Sequence, residues 1–356
     1  MSIQSVIIGT GSCIPTKVVK NEDFLESTFL QEDGTPFSGD TALIIKKFEK
    51  ITGIKERRYA LDSQNASDLA VIAANNAIVS AAIDKNKIDY ILLAHNFGDV
   101  SKGSIQGDML PSLASKVKHK LGVQNPNCVA LDIVFGCPGW LQGMLQANAF
   151  IQSGMAKTIL VIGAETLSRV VDDFDRDSMI YADGAGATLL QARDTTATIG
   201  VLSHAAQTFS ESELDYLYSG KSYNKALGSN CLYLKMQGRK IYEFALTHVS
   251  NAMKIAWDKS ELPISELSKI LIHQANEKMD EAIVKRFYSL YNMDMPVDSM
   301  PMCIEALGNS SVATIPTLLD LIQNNALPPH TIEKGAVVIF ASVGAGMNIN
   351  AMVYKF

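Results

Sequence analysis

The sequence has none of the features that mark a membrane or exported protein, and it has no excess of positive charge. No stretch reaches the roughly 18–20 apolar residues of a membrane span. The start, MSIQSVIIGTGS, lacks the basic region, long apolar region and cleavage site of a signal peptide. Lysine and arginine number 31 against 37 aspartates and glutamates, so the net charge is −6. These absences argue against a nucleic-acid or membrane partner and predict a cytoplasmic protein.

Cysteine is also scarce. The five cysteines are odd in number and scattered, with no CxxC pair, at Cys13, Cys128, Cys137, Cys231 and Cys303. This arrangement fits neither a disulfide framework nor a zinc site, so we expect no bound metal. In a reduced protein most cysteines fill the core, and we interpret all except Cys137 in that way.

What the sequence does contain is an alternation of helical and strand patterns in a chain that is 47% hydrophobic and 19% charged. Apolar runs predict strands at 5–9, 88–95, 129–135, 158–163, 187–191, 270–273, 336–341 and 348–354. Helical patterns lie between them, including a basic helix that ends at Gly53 and helices at 67–82, 109–121, 138–153, 240–257, 277–290 and 311–324. The alternation predicts an α/β protein with largely parallel, buried sheets.

The second half of the chain repeats the order of the first. NNAIVSAAIDKNKIDYILLAHN resembles SNAMKIAWDKSELPISELSKILIHQAN, GCPGWLQGMLQANAFIQSG resembles GNSSVATIPTLLDLIQNNA, and DGAGATLLQA resembles VGAGMNINAMVY. We therefore predict two halves, 1–192 and 193–356, whose two sheets pack face to face through shared helices. The helix that starts near Pro138 is apolar nearly all round, so we expect it in the centre.

Three polar residues stand where α/β folds place their sites, at strand ends and helix starts. Cys137 and Asn309 occupy the same position of the repeat, each after a glycine, and His273 closes a buried strand. If Pro138 is the first helical residue, Cys137 is the N-cap, and the helix dipole lowers the pKa of its thiol. Residue patterns alone also allow an inert buried cysteine, a core histidine and a capping asparagine. Together the three side chains support nucleophilic thioester chemistry.

The motifs that surround these residues are similar to those of a known family. They are TGIKERR at 52–58, LPS at 110–112, GCPGW at 136–140, DGAGATLL at 183–190, HQAN at 273–276, GNSS at 308–311 and SVGAGMNINAMVYKF at the end. With them the whole chain resembles β-ketoacyl-acyl carrier protein synthase III, a condensing enzyme of the thiolase fold. The resemblance implies two duplicated halves with two mixed sheets in five layers, α-β-α-β-α, and a homodimer.

The resemblance also implies a mechanism. Cys137 takes an acyl group from a thioester, and a malonyl or β-ketoacyl group on a carrier protein then loses carbon dioxide and attacks it. His273 and Asn309 donate hydrogen bonds to the enolate oxygen, and the backbone amides of Cys137 and Ala345 form the oxyanion hole. Acyl carrier protein and acyl thioesters are the implied partners, and no cofactor is expected.

Several positions bear on which substrate is used. Lys47 and Ile51 stand where the family usually has a tryptophan and an arginine that hold coenzyme A, which favours carrier-protein donors. Arg176 matches a family arginine near the nucleotide. Asn276 and Lys278 belong to the segment where the carrier protein is expected to dock.

Two further departures concern the acyl chain. Leu110 replaces an aromatic residue that reaches the partner subunit's acyl tunnel, which suggests a different, longer chain. Residues 31–40 form an extra loop that we expect near the tunnel.

Other functions remain open at this point. A specialised ketosynthase that joins two β-ketoacyl chains into a resorcinol precursor shares every motif above. Degradative thiolases use a second cysteine that SVGAGMN lacks, and hydroxymethylglutaryl synthase needs a carboxylate base that the sequence does not identify. An inactive subunit that only shapes a partner's cavity would have lost its nucleophile.

Overall fold

Helices and strands alternate along the chain in two successive series. The structure is a computed structural model, and it describes residues 2–104 and 106–356. The first series is β1 (Ser2–Cys13), β2 (Lys17–Lys20), α1 (Thr41–Thr52), β3 (Glu56–Tyr59), α2 (Ala66–Ser80), β4 (Tyr90–Ala94), β5 (Asp99–Val100), β6 (Gly107–Asp108), α3 (Leu113–Leu121), β7 (Val129–Ile133), α4 (Gly139–Gln152), β8 (Thr158–Thr166) and β9 (Asp183–Thr195). The second is β10 (Gly200–Thr208), β11 (Leu217–Lys221), β12 (Leu232–Met236), α5 (Gly238–Lys259), β13 (Leu267–Ile272), α6 (Glu277–Ser289), α7 (Ile304–Leu307), α8 (Thr314–Gln323), β14 (Val337–Gly344) and β15 (Asn348–Lys355).

Each series builds one mixed sheet. The first sheet has the order β1-β9-β8-β4-β7 and the second β10-β15-β14-β13. In the first sheet β4 pairs in parallel with β7 and β8, and in the second β13 pairs in parallel with β14. The remaining pairs of these two sheets are antiparallel. The expected division at 192/193 falls inside β9, three residues before its last residue, Thr195.

The expectation of largely parallel sheets is wrong. Only three residues, Ala345–Met347, join β14 to β15. A parallel crossover needs a dozen or more residues, so these strands pair as neighbours in opposite directions. β9 follows β8 in the same antiparallel way, through residues 167–182, which contain only short 3-10 turns.

Five layers of helices and sheets result, as the family resemblance implied. Helices α2 and α3 cover the outer face of the first sheet, and α5 and α6 cover the second. Between the sheets, α4 packs on β8 and β4 from one side and on β14 and β15 from the other, while α8 contacts β9 and β13. Trp140, Met144 and Ile151 of α4 are buried in this central core. The predicted central position of this helix is therefore confirmed.

The strands at the centre are buried on both faces, which explains why their sequences do not alternate. Every residue of β8 (TILVIGAET) and of β14 (VVIFASVG) is buried. Branched apolar side chains suit strands that have helices on both sides. Short strand pairs β2–β3, β5–β6 and β11–β12 lie outside the two sheets. Among the described residues, no helix combines the length and apolar character needed to cross a membrane.

Candidate active site

Cys137 lies in the turn between β7 and α4, beyond the carboxyl end of β7. Gly136 has a φ of 66°, in the left-handed region that favours glycine. A Cβ on Gly136 would lie 2.7 Å from the backbone nitrogen of Ala345, and a Cβ on Gly344 would clash with the nitrogen of Cys137. The turn 136–138 thus packs backbone against backbone on the turn after β14. This contact brings together the two predicted oxyanion residues, Cys137 and Ala345, from opposite halves of the chain.

The helix start differs by one residue from the prediction. The Pro138 carbonyl accepts the first helical hydrogen bond, from Gln142 N at 2.9 Å, and α4 begins at Gly139. Pro138, not Cys137, is therefore the N-cap. Its ψ of 0° places it between turn and helix, and its missing N–H leaves no donor unpaired there.

The Cys137 thiol is protonated at neutral pH. Burial raises its pKa to about 11, while a hydrogen bond from the Ser311 hydroxyl at 3.3 Å lowers it and the nearby charge of Glu165 raises it further. The predicted lowering of this pKa is wrong because removal from water outweighs the local helix terminus. The side chain is exposed only in part, and it lines two cavities that meet at the sulfur.

His273 follows β13 and is 4% exposed. Its backbone N–H donates to Ala341 O at 2.8 Å, which holds the residue against the end of β14. Within the described residues Nδ1 has no hydrogen-bond partner, and burial lowers the pKa of the ring to about 4. The imidazole is therefore neutral at pH 7 and carries one N–H.

Asn309 occupies the corresponding turn before α8. Its backbone bonds to a neighbouring segment, through Asn309 N to Ile180 O at 3.0 Å and Ala182 N to Asn309 O at 2.8 Å. The side-chain Oδ1 accepts the Ser311 N–H at 2.8 Å. Since Oδ1 is occupied, the amide group Nδ2 is the end left for a ligand.

The three predicted residues come together on one cavity of about 430 Å³. Cys137, His273 and Asn309 all line it, as do two of the predicted binding residues, Arg176 and Asn276. Asn276 is also the N-cap of α6, where its Oδ1 accepts Met279 N at 3.1 Å.

Two other predicted binding residues lie outside this cavity. Lys278 is exposed on the first turn of α6. Leu110 is 91% exposed and lies in a separate surface hollow with residues 104 and 106–109. Nothing in a single chain brings Leu110 to the sulfur.

The outer part of the cavity is basic. Lys47, Arg176 and Arg239 line it, together with Ile51. Arg176 pairs with Asp177 at 3.1 Å, and the Phe37 ring covers its guanidinium at 5.0 Å from the ring centre. Phe37 belongs to the 31–40 loop, so this loop reaches Arg176 at the larger cavity, and its expected place near the acyl tunnel stays a prediction.

A second cavity, of about 150 Å³, is also lined by Cys137. Its walls are largely apolar and include Phe97, Leu167, Leu217 and Leu234. Asn96 and Ser311 add polar atoms near the sulfur.

Three residues of this site escaped the sequence reasoning: Asn96, Glu165 and Ser311. Glu165 is 1% exposed at the end of β8, and burial raises its pKa to about 7. In the sequence Glu165 stands out only as the charged residue of the apolar strand TILVIGAET. The sequence offered no reason to connect it with Cys137, because the contact runs through two other side chains. No group of three or more potential metal-binding side chains occurs in 2–104 and 106–356.

The chain is similar, over nearly its whole length, to proteins of one known family. The family model for 3-oxoacyl-acyl-carrier-protein synthase III matches residues 131–208, and the model for its C-terminal part matches 257–356. A β-ketoacyl-acyl-carrier-protein synthase III from Vibrio parahaemolyticus is 31% identical over 99% of both chains, and one from Ehrlichia canis is 33% identical over 97% of both. The crystal structure of 3-oxoacyl-acyl-carrier-protein synthase III from Aquifex aeolicus superposes with a TM-score of 0.80 at 27% identity, covering 99% of this chain and 100% of that one.

Proposed function

Because the chain belongs to the 3-oxoacyl-acyl carrier protein synthase III family, we propose that its two cavities serve the two steps of a condensation on Cys137. The protein is an acyltransferase that joins an acyl thioester to a carrier-bound malonyl or β-ketoacyl unit with loss of carbon dioxide. The observation that carries the residue roles is that Cys137, His273 and Asn309 line one cavity.

In the first step the Cys137 sulfur attacks the carbonyl carbon of the acyl thioester. The bond from that carbon to the donor sulfur breaks, and the donor leaves as a thiol that takes up the proton. The amides of Cys137 and Ala345 face the oxygen that becomes negative, where preformed N–H donors are most effective. The apolar second cavity receives the acyl chain.

In the second step a malonyl thioester enters the larger cavity and its carboxylate leaves as carbon dioxide. The electron pair of the broken bond forms an enolate, which attacks the acyl carbon and releases the Cys137 thiolate. His273 and the Nδ2 of Asn309 hold the enolate oxygen. A neutral imidazole and an amide suit this role because both donate a hydrogen bond without offering a negative atom. This chemistry needs no cofactor beyond the thioesters.

We propose that the acyl donor is carried on acyl carrier protein in preference to coenzyme A. Ring stacking of Phe37 already occupies one face of Arg176, and the apolar Ile51 is 54% exposed at the mouth. A nucleotide base would have to displace Phe37 to stack on that guanidinium. The cations of Lys47 and Arg239 remain for the phosphate of a pantetheine arm.

We also propose a homodimer formed through the free edge of the first sheet. β7 is the outer strand, and Val129 at its start is 44% and Val134 directly after it 65% exposed. An unpaired edge strand with exposed apolar side chains is a template for pairing with a second copy. Light scattering is expected to give twice the mass of one chain, and Val134→Asp to give a single chain. A wild-type monomer at micromolar concentration would contradict this proposal.

The central experiment weighs the covalent adduct. The protein is incubated with matched acyl groups, from acetyl to dodecanoyl, on coenzyme A and on carrier protein, and the intact mass is recorded. We expect one acyl adduct on the wild type and none on Cys137→Ala, with Cys231→Ala as the control. Faster acyl loading from carrier protein than from coenzyme A supports carrier protein as the acyl donor. In Phe37→Ala the difference between the two loading rates is expected to be smaller. An adduct that persists on Cys137→Ala would refute the nucleophile.

A further inference from the structure

A chain of hydrogen bonds connects a buried carboxylate to the nucleophile. Glu165 Oε1 accepts the backbone N–H of Asn96 at 2.6 Å and its side-chain Nδ2 at 2.5 Å. The same Nδ2 donates to Ser311 Oγ at 3.2 Å. Ser311 Oγ in turn donates to Cys137 Sγ at 3.3 Å.

The direction of this chain is fixed by the acceptor at its far end. The backbone N–H of Asn96 can only donate, so Glu165 Oε1 is an acceptor even when the carboxyl group carries a proton, and the Asn96 side chain presents Nδ2 to the same oxygen. The second hydrogen of Nδ2 then points at Ser311 Oγ. A hydroxyl has one hydrogen, and once its oxygen accepts from Asn96 that hydrogen is available for the sulfur.

Ser311 also controls the other catalytic side chain. Its backbone N–H holds Oδ1 of Asn309 at 2.8 Å. It does so from a φ of 53°, which is uncommon for a residue other than glycine. In this conformation Ser311 donates one hydrogen bond to the Cys137 sulfur from its hydroxyl and another to Asn309 from its backbone N–H.

We propose that Glu165 and Asn96 are positioning residues that direct the Ser311 hydroxyl at Cys137, where it stabilises the thiolate during acyl loading. The inference rests on the proposed role of Cys137. In this proposal the Ser311 hydroxyl assists acyl loading, and the Ser311 backbone N–H assists condensation by holding Asn309. Glu165 acts only through Asn96 and does not touch substrate.

The two functions of Ser311 make the proposal testable. Ser311→Ala removes the donor at the sulfur and keeps the backbone bond to Asn309. Asn96→Asp replaces the donating nitrogen with an oxygen that accepts, so the Ser311 hydroxyl turns away from Cys137. Ser203→Ala is the matched control, because Ser203 is also a buried serine but donates to Ala256 O, far from the site.

The rate of Cys137 alkylation by iodoacetamide and of acyl loading is measured by intact mass for each variant. A hydrogen bond to a charged atom is worth enough for roughly a tenfold effect or more, so we expect about tenfold slower loading in Ser311→Ala and Asn96→Asp and an unchanged rate in Ser203→Ala. Each variant is also loaded to completion and then given malonyl-carrier protein. Condensation from the loaded Ser311→Ala enzyme is expected within about threefold of the wild type.

The outcomes separate the possibilities. Loading rates equal to the wild type in both variants overturn the inference, as does an equal loss in loading and condensation, which is the mark of general disruption. A wild type that gives no Cys137 adduct refutes the proposed function itself. Thermal melting shows whether Ser311→Ala and Asn96→Asp fold. If one of them does not, the loading rate of the other tests the inference. Glu165→Leu is a third variant, and the inference requires that it also loads more slowly than the wild type.

Discussion

Each half of the molecule places a buried histidine directly after a strand that pairs in parallel with its neighbour, and the two histidines differ in their hydrogen bonds. His95 follows β4 and is 1% exposed, and His273 follows β13 and is 4% exposed. His95 Nε2 bonds to Asp132 Oδ2 at 3.0 Å and its Nδ1 accepts Gly98 N at 3.1 Å. Among the described residues Nδ1 of His273 has no hydrogen-bond partner, and the residue lines the cavity. Of the two matching positions, one holds a histidine bonded into the surrounding structure and the other a histidine that lines the cavity, for which we propose the chemical role.

The turns that hold Cys137 and Asn309 also match in position and differ in side chain. Gly136 and Gly308 have φ values of 66° and 65°, so the residue before Cys137 and the residue before Asn309 both have the positive φ that favours glycine. The first turn presents a thiol and the second an amide. Residues at the two positions meet at one cavity because α4 and α8 both lie between the two sheets, in one core. The proposed nucleophile and the proposed hydrogen-bond donor thus stand at matching positions of the two halves.

The largest test of this division changes the amide of the second turn. Asn309→Asp places a carboxylate where the enolate oxygen develops, and repulsion is expected to lower condensation about 10²- to 10³-fold. Acyl loading uses the first turn and is expected to fall less than about tenfold. Loading is read by intact mass and condensation by product formation, with the exposed Asn75→Asp as control. Equal losses in both steps would contradict the assigned role.

A second test concerns the thiol of the first turn. With a pKa of about 11, its thiolate fraction rises about tenfold for each pH unit up to about pH 10. The alkylation rate of Cys137, measured by peptide mass spectrometry in buffers from neutral upwards, is expected to follow that slope. A rate that levels off below pH 8 would show that the thiol has the lowered pKa first expected from the helix terminus.

A third test replaces each of the two histidines by glutamine, to separate a structural role from a chemical one. His95→Gln loses the clamp on Asp132, which also accepts Leu113 N and Ala114 N at the start of α3. We expect a loss of about 1–3 kcal/mol in the free energy of unfolding, measured in urea. His273→Gln breaks no side-chain bond and is expected to retain stability while losing condensation. The reverse pattern would show that the roles of the two histidines were exchanged.

The smallest expected effect is the pH dependence that His273 gives to folding. Its pKa is about 4 in the folded state and near 6.5 when unfolded, so the unfolded chain binds more protons between these values. The contribution is fully present above about pH 6.5 and declines as the pH falls towards 4, by at most roughly 3 kcal/mol. The difference in urea stability between wild type and His273→Gln is expected to shift in that direction. A difference that does not change with pH would contradict the neutral, buried imidazole.

Much of the fold was predictable because its signals are local. The predicted helices at 67–82, 138–153 and 277–290 agree with α2, α4 and α6 within a few residues, and the basic helix ends at Gly53, which has a φ of 77°. Long apolar runs gave the central strands β4, β8 and β14. The polar strands β11 and β12 were missed because they pair only with each other, without an apolar face of their own in the sheets. The direction of pairing was misjudged because it depends on how short the link at 345–347 is.

Three features can be read from neighbouring residues alone: the glycine before Cys137 and before Asn309, the proline at the start of α4, and the apolar character of the central helix. These are properties of neighbouring residues, and backbone sterics impose them wherever the segment lies. Tertiary structure alone decided that Cys137, His273 and Asn309 share a cavity, and that Glu165 reaches the sulfur through Asn96 and Ser311. It also reversed the expected pKa of the thiol. Desolvation depends on which distant segments pack around the sulfur, and no local pattern records them.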